Sequence, residues 1–347
     1  MAGLATAVER AWKPRTTPER ALRALLVPAS VAYGAVVQVR NALYDTGWLG
    51  AARVPARVLS VGNLTVGGTG KTPAALWLAQ ALVDRGRRVA VVARGYRKRR
   101  VGVVVVGVDG TPLVSPEDGG DEAVMLARRF RGPVLTGERR ADAAREACAR
   151  FGVDTVVLDD GFQHRALARD ADLVLLGEEP AARWLLPAGS LREPLASLRR
   201  ARAALVVGGG DAVWSSLPPD LTRFRGRLQP DAVVHVEAGT WREAPLAALA
   251  GTPVVAVAGI VSPERFVATL ERCGARVTGR FVFPDHHAYD AADIADLARA
   301  ARVGTLVTTE KDLVKLAGRP GLDGLRALRV TLAVEEGDRL VDLLEAA

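Results

Sequence analysis

Cysteine is nearly absent from this chain, and aromatic side chains are scarce. Only Cys148 and Cys273 occur among the 347 residues, and neither has a neighbouring cysteine or histidine that would complete a metal site. The sequence therefore argues against a disulfide framework and a zinc site, and favours a reducing cytoplasm. Aromatic residues make up 5% of the chain and do not alternate with basic residues, as they do in proteins that stack on nucleic acid bases. Nucleic acid is thus not an expected partner.

Internal repeats, low-complexity tracts and a secretory signal are also missing. Residues 1–20 carry charges where a signal peptide needs an apolar segment. The composition is that of a folded protein, with 49% hydrophobic and 25% charged residues. A formal net charge of +8 favours an anionic partner, and charge alone does not choose between nucleic acid, an anionic membrane and a phosphorylated substrate. We expect a monomer.

The segment 24–39 is a candidate for membrane contact. It has sixteen uncharged and mostly apolar residues, interrupted by Pro28 and Gly34. This is fewer than the roughly 20 residues that cross a bilayer. Residues 1–57 hold eight basic and three acidic side chains, which suits anionic lipid headgroups. Periodicity does not separate an interfacial anchor from an ordinary pair of helices packed on the domain, so both interpretations stay open.

Strand and helix patterns alternate along the rest of the chain, beginning with a strand, helix and strand over 58–93. Such alternation predicts a mostly parallel sheet covered on both faces. We predict an α/β protein with an N-terminal interfacial helical segment (1–50), a P-loop NTPase-type domain with a mostly parallel sheet (51–225) and a second, smaller α/β domain (226–347). The Gly-, Pro- and charge-rich stretch 208–249 is interpreted as the connection between the domains.

The strongest motif is SVGNLTVGGTGKTP at Ser60–Pro73, where a strand enters a glycine-rich loop that ends in Gly-Lys-Thr at a helix start. Backbone N–H groups of such a loop surround phosphate oxygens, the lysine reaches the terminal phosphates and the hydroxyl can ligate Mg²⁺. The strict P-loop pattern is not met, because Thr65 stands where it requires glycine; the alternative is a chance glycine turn. The predicted nucleotide-binding residues are Asn63, Thr65, Gly67, Gly68, Thr69, Gly70, Lys71 and Thr72.

Paired acids follow another predicted strand. Asp159 and Asp160 come directly after the apolar run 155–158. Because ligands bind outside the carboxyl ends of strands in open α/β sheets, these carboxylates can face the phosphate loop and hold Mg²⁺ together with Thr72. The alternative is that Asp160 caps a helix.

Four further segments carry weaker signals. Residues 119–122 (GGDE) open a helical pattern, where acids also favour the helix dipole. Residues 283–289 (FPDHHAY) hold two of the four histidines, although such a pair is more often on the surface. Residues 186–194 (LPAGSLREP), followed by Arg199, Arg200 and Arg202, form a cationic loop that can bind phosphate or be a solvated face. Residues 308–312 (TTEKD) can contact a nucleotide or cap a helix through Thr309.

Together these segments resemble the tetraacyldisaccharide 4'-kinase family. Seven motifs occur in matching order over roughly residues 57–315, and they are the GNLTVGGTGKTP loop, ARGY at Ala93–Tyr96, GDE at Gly120–Glu122, DDGFQHR at Asp159–Arg165, PAGSLREP at Pro187–Pro194, FPDHHAY at Phe283–Tyr289 and TTEKD at Thr308–Asp312. The resemblance implies transfer of the ATP γ-phosphate to the 4'-hydroxyl of a tetraacyl glucosamine disaccharide 1-phosphate in lipid A biosynthesis. It also implies a peripheral enzyme on the cytoplasmic face of the inner membrane, with this lipid-linked disaccharide and an anionic membrane surface as partners.

Residue roles follow from the same resemblance. Asp121 would be the catalytic base, paired with His286 when a hinge between the domains closes, while Lys71 would act on the transferred phosphate. ATP and Mg²⁺ are the implied cofactors, with Gln163 and His164 near the nucleotide phosphates. The residues implied to hold the disaccharide are Glu122, Arg192 and Glu193.

Two other classes of function are compatible with parts of the sequence. A P-loop NTPase acting as a switch or metallochaperone would explain the phosphate loop and the acids without a lipid substrate. A non-catalytic lipid-binding or scaffold protein would explain only the basic N-terminal segment, and it predicts that Lys71 is dispensable.

Overall fold

The computed structural model describes residues 2–177 and 184–346. The α-helices in this part of the chain are α1 (Ala2–Trp12), α2 (Thr17–Asp45), α3 (Lys71–Asp84), α4 (Pro116–Gly119), α5 (Asp121–Arg129), α6 (Arg140–Phe151), α7 (Asp211–Ser215), α8 (Pro263–Arg272), α9 (Ala291–Ala301), α10 (Glu310–Leu316) and α11 (Gly337–Glu345). The strands are β1 (Arg57–Asn63), β2 (Val89–Ala93), β3 (Val104–Val108), β4 (Thr111–Pro112), β5 (Val134–Thr136), β6 (Thr155–Asp159), β7 (Ala171–Leu176), β8 (Ala203–Val207), β9 (Arg223–Glu237), β10 (Thr240–Ala244), β11 (Pro253–Ala258), β12 (Arg276–Val282), β13 (Thr305–Thr309) and β14 (Arg326–Val334).

The chain divides into two compact units, each built from segments that are distant in sequence. The first unit comprises Met1–Val92, Arg140–Arg227 and Val334–Ala347, and the second comprises Ala93–Arg139 and Leu228–Ala333. The domains predicted from the sequence are contiguous, whereas these units are not. Hydrophobic periodicity shows that a segment has a buried face, but it does not show which other segments cover that face. The combination of distant segments in each unit could therefore not be predicted.

The first unit contains the predicted parallel sheet. Its strands lie in the order β8, β7, β1, β6, β2, and every neighbouring pair is parallel. In the central strand β1, Val58, Leu59 and Val61 are buried. Such continuous burial is typical of a parallel strand covered on both faces. The prediction of a mostly parallel α/β fold is confirmed.

The second unit has its own parallel strands, in the order β12, β11, β13, β14. Helix α8 packs on β11 and β12, and α9 and α10 pack on β13. A small antiparallel group is formed by β3 with β4 and β5. The predicted smaller α/β domain is therefore present, with antiparallel strands that the sequence did not indicate.

The predicted connection 208–249 does contain a crossing between the units, at residues 227 and 228, together with regular structure that the sequence did not indicate. It contains β9, a strand of 15 residues, and β10, which pairs with it in an antiparallel hairpin. Only Ala232, Val233 and Val234 form a buried apolar run in β9, while the remainder is mostly polar and partly exposed. Strand β9 is therefore stabilised mainly by backbone hydrogen bonds to its neighbours. Because it lacks an alternating apolar pattern, the sequence analysis did not predict it.

Helix α2 continues through Pro28 and Gly34, which the sequence analysis treated as interruptions. A capping box formed by Thr16 and Glu19 begins the helix. A proline inside a helix removes one hydrogen bond and costs about 3 kcal/mol, so the tertiary contacts of α2 must offset that cost. By length and composition alone, this 29-residue helix is apolar enough to cross a membrane.

One face of α2 is buried against the first unit, and the other faces are exposed to solvent. Ser30, Gly34, Val37 and Asn41 are buried, at the spacing of one helical face. Ser30 Oγ donates a hydrogen bond to the Leu185 carbonyl oxygen at 2.7 Å. The apolar side chains of the other faces are exposed to solvent, and they are Leu25, Val31, Val36 and Val39. The helix thus packs on the first unit through small and polar residues and leaves apolar residues outside.

The carboxyl end of β1 tolerates no side chain at Gly62. A Cβ there would lie 2.5 Å from Phe162 Cβ and 2.8 Å from the Phe162 backbone nitrogen. We expect Gly62→Ala to lower the free energy of unfolding by about 1–3 kcal/mol, as overpacking of a rigid core does. Urea unfolding measures the loss, and Gly50→Ala is the control because a Cβ at Gly50 meets nothing within 4 Å. Equal stability of the two variants would contradict this packing.

Candidate active site

The phosphate loop joins the end of β1 to the start of α3. Asn63 ends β1, is fully buried, and donates from Nδ2 to Thr69 Oγ1 at 2.8 Å. Lys71 begins α3 and donates from Nζ to the Gly67 carbonyl oxygen at 3.4 Å. The lysine therefore folds back over its own loop, as it must to reach a phosphate held there. The same loop contains the other predicted phosphate-binding residues Thr65, Gly68, Gly70 and Thr72.

Thr72 and Asp159 form the part of the site that suits a metal. Thr72 Oγ1 donates to Asp159 Oδ2 at 2.9 Å, and both side chains are buried. They meet because β1 and β6 are parallel neighbours, with Val61 opposite Asp159. A hydroxyl after the lysine and a carboxylate at the end of another strand are the Mg²⁺ ligands of P-loop proteins. No cluster of three or more His, Cys, Asp or Glu suited to a metal occurs in residues 2–177 and 184–346.

Asp160 is held by an arginine. Arg192 Nη1 donates to Asp160 Oδ2 at 3.0 Å and Nη2 to Oδ1 at 2.8 Å, while Lys71 Nζ lies 4.0 Å from Oδ1. Burial by itself would raise the pKa of the Asp160 carboxyl, but the Arg192 hydrogen bonds and the charges of Lys71 and Arg192 hold that pKa below its ordinary value. Asp160 has a left-handed backbone with φ of 54° and starts no helix, so the capping alternative is wrong.

The segment that contains Arg192 lies along the phosphate loop. Val66 N donates to the Ser190 carbonyl oxygen at 2.8 Å, and Arg192 N donates to the Leu64 carbonyl oxygen at 2.7 Å. Gln163 is also close, because its Nε2 donates to the Asn63 carbonyl oxygen at 2.9 Å. His164 follows on the same turn and is half-buried. The predicted nucleotide-binding and metal-binding residues are thus gathered in the first unit.

Glu193 does not occupy the position expected of a sugar ligand. Its side chain is 0% exposed, and its carboxylate accepts hydrogen bonds from Asn41 at 2.8 Å, Arg40 at 3.1 Å and Arg200 at 2.9 Å. Burial would raise its pKa, but the Arg200 charge and these hydrogen bonds keep the pKa low. Tyr33 OH, also from α2, donates to the Arg192 carbonyl oxygen at 2.9 Å. In this structure Glu193 anchors α2 to the loop that carries Arg192.

The second candidate group lies in the second unit, where Asp121 and His286 are in direct contact. His286 Nδ1 lies 3.1 Å from Asp121 Oδ1 and 3.0 Å from Oδ2, and both side chains are largely buried. Asp121 begins α5, and its Oδ1 also accepts a hydrogen bond from the Glu122 backbone nitrogen at 2.9 Å. Hinge closure was expected to bring this pair together, whereas the contact forms within one compact unit.

The contact shifts both groups toward their charged forms. Burial would raise the pKa of the Asp121 carboxyl, but the hydrogen bond and charge of His286 and the ammonium groups of Lys311 and Lys315 lower it. Burial would lower the pKa of the His286 imidazole, but Asp121 raises it above its ordinary value. His286 also has a left-handed backbone with φ of 57°, a conformation that costs about 1 kcal/mol or more and is found most often at functional sites.

A close approach of two backbones places an aromatic ring beside the pair. A Cβ on Gly120, whose φ is +93°, would lie 3.2 Å from Gly95 Cα, so only glycine fits there. As a result, the Tyr96 ring lies 4.8 Å from the His286 ring between centroids, with 48% of Tyr96 exposed. Arg97 Nη1 donates to the His286 carbonyl oxygen at 3.2 Å. No local pattern indicated that the motif at Ala93–Tyr96 lies beside His286.

Several alternatives left open by the sequence can now be decided. His286 and His287 are not a surface pair, because His287 Nε2 lies 2.7 Å from Asp293 Oδ2 and its ring stacks on Phe283 at 4.7 Å. Thr309 does cap α10, accepting a hydrogen bond from the Asp312 backbone nitrogen at 3.1 Å. The acid at 121 does more than favour a helix dipole, since it is paired with His286.

The pairing of His286 with Asp121 predicts a pH-dependent stability. A raised histidine pKa stabilises the folded protein fully below the unfolded pKa of about 6.5, and this contribution is lost as pH rises through the folded pKa. We expect His286→Gln to lower the free energy of unfolding by about 2 kcal/mol at pH 6 and by less at pH 9. Urea unfolding at both pH values measures this, with His235→Gln as the control. A loss that is equal at pH 6 and pH 9 would refute the charged pair.

A parallel α/β sheet, a phosphate loop at the end of its central strand and an acid at the end of a neighbouring strand define the class of P-loop phosphate-binding proteins. Comparison with known proteins identifies the family. The family model for tetraacyldisaccharide-1-P 4'-kinase, LpxK, matches residues 22–347. The chain belongs to this family.

Individual relatives agree. The chain is 43% identical to the tetraacyldisaccharide 4'-kinase of Anaeromyxobacter dehalogenans, over 97% of this chain and 93% of the relative. It is also 43% identical to that of Syntrophus aciditrophicus, over 89% of this chain and 88% of the relative. Among solved structures, LpxK from Aquifex aeolicus in complex with ATP matches with a TM-score of 0.78 and 31% identity, covering 94% of this chain and 99% of that one. The family, the fold and the kinase activity predicted from the sequence are confirmed.

Proposed function

We propose that this kinase uses ATP and Mg²⁺ to phosphorylate the 4'-hydroxyl of a tetraacyldisaccharide 1-phosphate at a membrane surface. The observation that carries the proposal is the buried contact of Asp121 with His286. A hydrolytic switch or a metallochaperone needs a phosphate loop and a metal-binding acid, but it does not need a base prepared for an acceptor hydroxyl.

The first unit supplies the phosphate and metal ligands. Lys71, already folded over its loop, would contact the terminal phosphates of ATP. Thr72 and Asp159 would hold Mg²⁺, which would neutralise negative charge on the phosphates. Both carboxylate oxygens of Asp160 accept hydrogen bonds from Arg192, so Asp159 is the stronger candidate for direct contact with the metal. The same pairing leaves Arg192 fixed beside the loop, where it would bind the substrate or a phosphate.

The second unit supplies the base. Asp121 stays ionised at neutral pH, and His286 fixes its orientation through both carboxylate oxygens. The proton of the acceptor hydroxyl would pass to an Asp121 oxygen as the bond from the hydroxyl oxygen to the γ-phosphorus forms. The bond from that phosphorus to the oxygen shared with the β-phosphate would break, and ADP would leave with the electron pair. A carboxylate of low pKa is a weak base, and it suffices because phosphoryl transfer needs the proton to leave only late in the attack. Glu122 and the exposed part of Tyr96 are placed to contact the sugar.

We expect Lys71→Ala and Asp121→Asn each to lower kcat by at least about 100-fold, because they remove phosphate neutralisation and the base respectively. Transfer of ³²P from [γ-³²P]ATP to a detergent-dispersed tetraacyl disaccharide 1-phosphate, resolved by thin-layer chromatography, measures it. Asp296→Asn is the matched control, since that carboxylate is on the surface of α9 and paired only with a neighbouring arginine on the same helix. Near-normal transfer by either variant would exclude its proposed role.

The same assay tests the alternative function. ATP hydrolysis without labelled lipid would favour a switch or a metallochaperone. Labelled product that depends on Mg²⁺ and on the lipid acceptor would establish the kinase reaction in this chain.

The exposed side of α2 supports a peripheral position on the cytoplasmic face of the inner membrane. Four large apolar side chains face outward while the opposite face is bound to the first unit by hydrogen bonds. A helix held along a protein surface in this way would enter the headgroup region sideways. The net charge of +8 adds attraction to anionic lipids.

We expect the double variant Leu25→Asp and Val36→Asp to reduce binding to vesicles of anionic phospholipid by at least about 10-fold, because two exposed apolar side chains become charged. Sedimentation with the vesicles measures bound protein. The control is Val303→Asp, which changes a side chain that is 87% exposed in the second unit. Equal loss of binding in the control would mean that added charge, and not α2, is responsible.

A further inference from the structure

Asp121 has a second cation beside it that neither the family motifs nor the proposed mechanism uses. Lys315 Nζ lies 3.7 Å from Asp121 Oδ2, and the lysine side chain is 12% exposed. The same ammonium lies 2.8 Å from Asp312 Oδ1, donates to the His287 carbonyl oxygen at 3.1 Å, and lies 5.1 Å from the centre of the Tyr289 ring. These four contacts restrict the position of the Lys315 ammonium.

The helix that carries Lys315 is itself fastened. Asp312 is 0% exposed and accepts hydrogen bonds from the Gly259 backbone nitrogen and from Thr309 Oγ1, both at 2.9 Å. At the start of α10, Glu310 pairs with Arg129 of α5 at 3.0 Å. Since Asp121 begins α5, this ion pair ties the helix of the base to the helix of the lysine.

Sequence composition points to the same residue. The chain has 47 basic residues, of which only five are lysines. Three of those five are Lys71, Lys311 and Lys315, which lie in the two candidate groups. Lysine is thus rare in the chain and concentrated in the candidate groups.

We propose that Lys315 is a positioning residue for the kinase reaction, holding the Asp121 carboxylate in one rotamer and in its ionised form beside His286. The inference rests on the proposed function, because it assigns Asp121 as the base. Asp121 then has a cation on each side, and Asp312 holds the Lys315 ammonium without itself touching Asp121. Proton acceptance by Asp121 remains the chemical event, and Lys315 acts through it.

The other charged groups near Asp121 have different tasks. Lys311, also on α10, forms an ion pair with Asp285, and its charge also lowers the pKa of Asp121. Asp285 lies 3.6 Å from His286 Nε2. Glu122 is next to Asp121 on α5, and Arg97 donates to the His286 backbone. None of these groups replaces the cation that Lys315 places against Asp121 Oδ2.

Glu310 is the group that could complicate a pH experiment. Burial raises the pKa of Glu310 to about 7, although Arg129 and Arg329 oppose the rise. Protonation of Glu310 would weaken the link between α5 and α10 in the pH range of interest. The Glu310→Gln variant therefore shows which part of a pH profile is caused by titration of Glu310 in its ion pair with Arg129.

The test is the pH dependence of kcat/KM for the lipid acceptor from about pH 3 to 8, because the lowered pKa of Asp121 puts the wild-type acid limb below the ordinary range of an aspartate. Removing a cation raises the pKa of a neighbouring carboxyl by about one to three units, so Lys315→Met should move the acid limb up by about one pH unit or more. At pH 8 it should also lower kcat about 10-fold through loss of orientation, with KM for ATP unchanged. Lys315→Arg keeps the charge and should hold the acid limb near that of the wild type.

The control is Arg319→Gln, which removes an exposed cation just beyond α10 that pairs with Glu117 at 3.7 Å and should leave the profile unchanged. An acid limb of Lys315→Met that coincides with the wild type would overturn the proposal. Should Lys315→Met fail to fold, Lys315→Gln carries the same test. If the wild type does not phosphorylate the lipid, the proposed function fails. NMR titration of His286 then tests the positioning role by itself. A higher His286 pKa in Lys315→Met than in the wild type supports that role, and an unchanged His286 pKa refutes it.

Discussion

Three carboxylates in or beside the candidate groups each have a cation against them, and these pairs fix elements in both units. A buried charge without a partner costs several kcal/mol, so the chain must bring a partner from elsewhere. Asp160 is matched by Arg192, Glu193 by Arg200 and Arg40, and Asp121 by His286 and Lys315. In each case the partners are far apart in sequence or on different elements, so neutralising the charge also fixes the relative position of those elements within the unit.

The consequence in the first unit is a chain of fixed contacts from α2 to the phosphate loop. Asn41 and Arg40 on α2 hold Glu193, the next residue Arg192 holds Asp160, and Lys71 stands on the other side of Asp160. Glu193, which the family resemblance implied as a disaccharide ligand, joins α2 to the loop that carries Arg192 in this structure. The polar face of α2 is used for this joint, which explains why its apolar residues are the ones left outside.

The sequence predicted the features that depend on local patterns and missed those that depend on contacts between distant segments. The phosphate loop, β6 with its two acids and most strands and helices were predicted, because glycine spacing and hydrophobic periodicity are local. The contact between Asp121 and His286 was expected only through resemblance to a family. Lys315, the Asp160 and Arg192 pair, and the role of Glu193 were missed, because charge pairing between distant segments leaves no periodic trace. The strand β9 was missed since backbone pairing with β8 and β10 builds it, with few apolar residues.

The chain passes between the two units at residues 92 and 93, 139 and 140, 227 and 228, and 333 and 334. Helix α11, at the very end of the chain, belongs to the first unit and is clamped there by Arg85 to Asp338, Asp342 and Glu345. The first unit is therefore incomplete until residues 334–347 have been synthesised, although its phosphate loop is synthesised early. Both units combine segments that are separated in sequence, so neither unit can be produced by cutting the gene at a single point.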